Sequence, residues 1–99
     1  MLMYRGEKRK LSVDMVASLN GATPTGAPTV TIHRARGMED VSENTLTDDP
    51  AVPAFNGTVV EFWVDLATWT EVARLKVRIV CEVSSGERPV EHTVTLLVQ

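Results

Sequence analysis

From Ala73 to Val83 the chain reads Ala-Arg-Leu-Lys-Val-Arg-Ile-Val-Cys-Glu-Val. Leu75, Val77, Ile79, Cys81 and Val83 share one parity, while Arg74, Lys76, Arg78 and Glu82 share the other; Val80 alone breaks the pattern. Successive side chains of a strand point to opposite faces, so this stretch predicts one dry face and one wet face. A strand of that kind needs a second layer to cover it. The constraint concerns fold, not chemistry, and no constellation in the sequence identifies a reaction.

Val90 to Val98 supplies the neighbour, with Val90, His92, Val94, Leu96 and Val98 inward and Glu91, Thr93 and Thr95 outward. Ser84-Ser85-Gly86-Glu87 between them predicts a hairpin turn. Leu11 to Leu19 alternates too, with Val16 out of step, and predicts a strand. Asn20-Gly21 then tolerates positive φ, and Pro24, Gly26 and Pro28 extend the turn into a loop. Thr29 to Ala35 predicts a strand with Val30 and Ile32 inward. Thr58 to Leu66, after the turn signal Asn56-Gly57, predicts another with Val60, Phe62, Val64 and Leu66 inward. Thr68-Trp69-Thr70-Glu71 has capping-box spacing and predicts one helical turn crossing between layers, with Trp69 plugging the end of the core. Six or seven short strands, regular turns and one helical turn predict an all-β chain, an antiparallel β-sandwich.

The 99 residues form one domain by length. A chain of this size buries roughly 60 to 70% of its unfolded surface, so a core without staples is feasible. Net charge is −3, from ten Lys plus Arg against thirteen Asp plus Glu. That balance argues against nucleic acid as the partner, since duplex binding needs a basic surface. The single cysteine, Cys81, has no internal disulfide partner and lies on the apolar parity, so it reads as a small buried hydrophobe. No apolar run is long enough to span a membrane, and there is no signal-peptide pattern. The chain is expected to be made in a cytoplasm, with no membrane and no cofactor.

Candidate contact residues fall in three places. Met1 to Lys10 turns basic through Arg5, Lys8, Arg9 and Lys10, and reads as a solvated terminus or as an arm for an acidic neighbour. Arg36 to Pro53 is a long polar loop with Glu39, Asp40, Glu43, Asp48 and Asp49. It reads as solvated acid, as a partner contact or as a metal loop, although the spacing and central glycine of an EF-hand are missing. Trp63 lies on the wet parity of its strand, either covered by a neighbour or serving as a contact hot spot. His33 is on a wet parity with no acid two residues away to orient it, and reads as an exposed strand histidine. His92 reads as a histidine satisfied at the rim of the core. No spacing pairs a nucleophile with a base, so the chain is not expected to be an enzyme.

In this arrangement the chain resembles the small immunoglobulin-like β-sandwich proteins of tailed bacteriophages, of the neck, tail-accessory and upper-baseplate type. The matching pieces are Leu11–Leu19, Thr25-Gly26-Ala27 with Val30 and Ile32, Val60–Leu66, Thr68–Glu71, Leu75–Val83 and Thr93–Val98. Arg74-Leu75 stands where that class usually has a glycine and a tyrosine. The resemblance implies a structural protein of the virion, without catalytic residues, that contacts other virion proteins and copies of itself at the neck, tail or capsid surface. Pairing of the basic arm with the acidic loop between copies would build a homo-oligomer, closed as a ring where the rotation allows. The alternative is a carbohydrate- or ligand-binding module that uses Trp63 or Trp69 as a stacking platform.

Overall fold

The computed structural model describes residues 1–84 and 88–99. Eight strands carry more than half of the chain: β1 (Leu2–Met3), β2 (Lys8–Asp14), β3 (Pro24–Arg34), β4 (Leu46–Thr47), β5 (Ala54–Asn56), β6 (Val59–Asp65), β7 (Ala73–Val83) and β8 (Val90–Val98). Among the described residues, one helical turn, α1 (Val16–Leu19), and one 3-10 turn at Ser42–Asn44 complete the elements. The first sheet has the order β1-β8-β7-β3, and in the second β6 pairs with β2 on one edge and with β4 and β5 on the other. All pairs are antiparallel except β1 with β8.

The two sheets face each other across one core. Leu75, Val77, Ile79, Leu96 and Val98 of the first sheet and Val60, Phe62 and Val64 of the second are fully buried in a single cluster. The inward rows predicted for β6 and β7 are therefore the rows that are buried, and Val80 faces the other way, half-buried. β7 pairs with β8 from Ala73↔Val98 to Cys81↔Val90. Of the turn expected at Ser84-Ser85-Gly86-Glu87, Ser85 to Glu87 lie outside the described residues. At Asn56-Gly57 the hairpin is tight: Asn56 pairs with Val59, and Gly57 takes φ 67, a conformation that favours glycine.

Four expectations need correction. The loop expected through Pro24, Gly26 and Pro28 belongs to β3, where the register against β7 shifts between Thr25 and Thr29. The strand expected over Leu11–Leu19 runs instead over Lys8–Asp14 and gives way to α1. Both Met15 and Leu19 still reach the core, because positions four apart share a helix face just as odd positions share a strand face. The basic arm expected over residues 1–10 is part of the fold: Leu2 and Met3 extend the first sheet, Met3 is fully buried, and Lys8, Arg9 and Lys10 begin β2. The helical turn expected at Thr68–Glu71 is absent, and the 3-10 turn lies elsewhere. Asp65 Oδ1 accepts the Ala67 N–H at 2.9 Å, Trp69 N–H returns to the Leu66 carbonyl at 3.1 Å, and the Glu71 carboxylate goes to Arg34. A nucleus of one turn is costly, and these local bonds replace it. Trp69 nevertheless packs against the core from this turn.

The segment Arg36–Pro53 is laid along the fold rather than solvated throughout. Val41 and Thr45 are buried in it, β4 pairs with β6, and His33 and Asp40 form a bridge. Its backbone and the Ser42 hydroxyl cover the outer edge of β3: Arg34 N–H donates to the Glu39 carbonyl, Val41 N–H to the Ile32 carbonyl, and Ile32 N–H to Ser42 Oγ.

Candidate functional site

Arg34 organises one polar constellation. It continues the inward parity of Val30 and Ile32, so its guanidinium emerges where the core ends. Nε donates to Glu39 at 3.0 Å and Nη2 to Glu71 at 2.7 Å. The guanidinium carbon lies 5.2 Å from the centroid of the Trp69 ring, within the range of a cation–π contact. Trp69 Nε1 in turn donates to the Asn44 carbonyl at 3.3 Å. Glu71 above all, and then Glu39, raise the Arg34 pKa further, so the group is a permanent cation. One strand end, the 3-10 turn and the β6–β7 crossover are thereby tied together. The groove among them, lined by Arg34, Glu39, Val41, Asn44, Trp69 and Glu71, encloses ≈ 160 Å³. That is below the ~300 Å³ at which small-molecule pockets begin. Its carboxylates are already paired, so the arrangement suits surface contact better than capture of a ligand.

The residues expected to contact partners are placed as follows. Arg5 donates to the carbonyls of Gln99 at 3.2 Å and Thr70 at 3.0 Å. Lys8 meets Asp49 at 3.4 Å, Arg9 meets Glu7 at 3.8 Å, and Lys10 meets Glu61 at 3.2 Å. Arg9 also donates to the Leu2 carbonyl. Glu39 is held by Arg34, and Asp40 Oδ2 lies 3.6 Å from His33 Nε2. Among the described residues Glu43 has no ion-pair partner. Trp63 is half-buried, with Lys10 on one neighbouring strand and Thr47 on the other. Basic and acidic segments thus meet within one chain through Lys8 and Asp49, and exposed pairs of that kind contribute little.

His33, His92 and Cys81 are not brought together. Cys81 is buried in the core, and burial pushes its thiol pKa up. His33 is on the wet side of β3, while His92 Nδ1 lies 2.7 Å from Ser18 Oγ and ties α1 to β8. Sequence reasoning missed Arg34, His33–Asp40 and Ser18–His92. Only Arg34 left a signal: a charge on an apolar parity must find partners where its strand leaves the core. The other two join residues through turns and across sheets, which periodicity does not report.

A scan of protein-family models and a search of curated proteins returned no match to this chain.

Proposed function

We propose that this chain is a non-enzymatic building block of a tailed-phage particle, an immunoglobulin-like sandwich that works by contact with other particle proteins and with copies of itself. The observation that carries the reading is strand order. In an immunoglobulin-type sandwich, strands C, F and G share one sheet, and B, E and D share the other. Taking β2, β3, β4, β6, β7 and β8 as B to G in turn gives the pairings β3-β7-β8 and β2-β6-β4. Two features depart from the constant-type order: the first strand joins β8 instead of β2, and β5, between the fourth and sixth strands, adds a further pair to β6. Because one fold serves many functions, the particle half of the reading rests on the resemblance in segment order.

Localisation tests the reading. Particles released from cells that carry the gene, purified on a density gradient, are expected to bind an antibody raised against the chain at one fixed position seen by immunogold. A chain found wholly in the soluble fraction would sink the reading. The carbohydrate alternative has less support because Arg34 lies over the Trp69 ring and strand neighbours flank Trp63; tryptophan fluorescence is expected to stay unchanged on titration with sugars.

A further inference from the structure

We propose that the outer edge of β2 is a self-association site, at which a second copy of this chain adds its own β2 antiparallel across a two-fold axis at Leu11. The inference is independent of where the protein functions. An unpaired strand edge is a template for another strand, so the sheet edges decide where a copy can add. β3 is covered by the segment from Glu39 to Ser42, and its remaining stretch contains Pro24 and Pro28. β8 is covered from Thr95 to Gln99 by residues 1–5. β4 and β5 are two and three residues long, and Pro50 and Pro53 interrupt the stretch between them. β2 is different: seven residues long, without glycine or proline, at the end of its sheet. Among the described residues nothing pairs with its outer side.

The alternation of an antiparallel ladder fixes which groups are free. Leu66 N–H donates to the Glu7 carbonyl and Met15 N–H to the Thr58 carbonyl. In the same register Arg9, Leu11 and Val13 turn their backbone groups to β6. Those of Lys8, Lys10, Ser12 and Asp14 therefore point outward, and all four residues are exposed. With the axis at Leu11, Lys8 stands opposite Asp14 of the other copy and Lys10 opposite Ser12. Every outward N–H and C=O then has a partner, and both ends of the ribbon carry opposite charges, which favour cross-strand pairs. Moving the axis to Lys10 sets two lysines face to face, and moving it to Ser12 leaves Lys8 unpaired. Charge rules out the first shift; the second keeps Lys10 opposite Asp14 but pairs fewer outward groups, so charge and extent of pairing together select one register. Leu11, 7% exposed, meets its symmetry mate at the centre. Lys8 gives up an exposed contact with Asp49, and Asp14 keeps Oδ1 on Val16 N–H and Thr58 while Oδ2 faces the incoming lysine.

Sedimentation equilibrium together with amide exchange tests the pairing. The expected result is a reversible monomer–dimer equilibrium in which the amides of Lys8, Lys10, Ser12 and Asp14 gain protection with concentration, while those of Leu11 and Val13 are protected at all concentrations. Ser12→Pro removes an outward N–H without removing a bond to β6, and is expected to weaken the dimer about tenfold or more. Lys8→Glu, which sets like charges opposite each other, weakens it as well, and Lys8→Arg does not. If Ser12→Pro fails to fold, the Lys8 pair decides. A chain that remains monomeric at millimolar concentration, or a dimer indifferent to Lys8→Glu, overturns the proposal. So does one that leaves the even-numbered amides unprotected.

Discussion

The hairpin β7–β8 and the segment Arg36–Pro53 are both ordered, but for different reasons. In the hairpin, order is written in side-chain parity: five alternate residues of β7 are buried against the second sheet. In the acidic segment no parity exists. There the order comes from partners elsewhere, through β3 backbone bonds, β6 pairing and the Arg34 cluster. Polar composition alone therefore says little about whether a loop is held. What counts is whether its buried residues and its backbone find partners.

The largest effects should separate the two regions. Ile79 is fully buried at the middle of β7, and Ile79→Ala is expected to cost about 3–5 kcal/mol through lost transfer energy and a cavity. Val41, 6% exposed in the acidic segment, loses fewer atoms on truncation, and Val41→Ala should cost about 2 kcal/mol. Urea midpoints at constant m give both values. A negligible cost at Val41 would return the segment to the status of a solvated loop.

A second test moves stability upward. The Thr45 side chain is fully buried, and its hydroxyl has no hydrogen-bond partner among the described residues. A buried hydroxyl of that kind carries a desolvation cost with no return. Thr45→Val keeps the shape and is expected to stabilise by about 1 kcal/mol, read from the same urea curves. A loss of stability would mean that the hydroxyl is bonded in solution.

These regions also mark what the sequence makes legible. β6, β7 and β8 could be read because alternate positions in each favour apolar side chains over at least seven residues. β2 was shifted because Val16 to Leu19 satisfy helix and strand periods together, and only α1's packing on β8, seen in Ser18–His92, decides between them. At the candidate site, Glu39 and Asp40 were read as loop acids, but not that Arg34 and His33 hold them. The crossover was read through a capping box, yet Glu71 found a better partner in a guanidinium than in a backbone amide. Such choices are made in three dimensions among groups with similar local options.

Arg34 supplies a smaller test of how the acidic segment is held. Its planar fork reaches Glu39 and Glu71 while it lies over Trp69, a combination that a lysine ammonium does not reproduce. Arg34→Ala should lower Tm, and Arg34→Lys should restore only part of the loss. Full rescue by lysine would mean that charge alone, without fork or stacking, holds the segment. A change in tryptophan fluorescence in both variants would report the altered surroundings of Trp69.

The smallest effects concern pH and salt, and they set the two regions side by side. In the acidic segment, Ser42 holds the Asp40 carboxyl below the usual carboxylate range, through its hydroxyl first and then its N–H, with His33 a lesser contributor. In the hairpin, Arg78 holds Glu91 below its usual range, chiefly by the hydrogen bond it donates and also by its charge. A carboxylate whose pKa is depressed by folding stabilises the protein above its unfolded pKa, and that contribution disappears as the pH falls through the folded value. Asp40→Asn and Glu91→Gln should therefore each lower the urea midpoint at neutral pH, and both differences should vanish in acid. Salt then separates them. The Glu91 contribution depends on an exposed cation and should shrink as ionic strength rises, whereas the bond from Ser42 N–H to Asp40 Oδ1, 2.8 Å, is local and should persist. Equal salt sensitivity at the two sites would mean that His33, rather than Ser42, governs Asp40, and that both regions are held at their surfaces by charge.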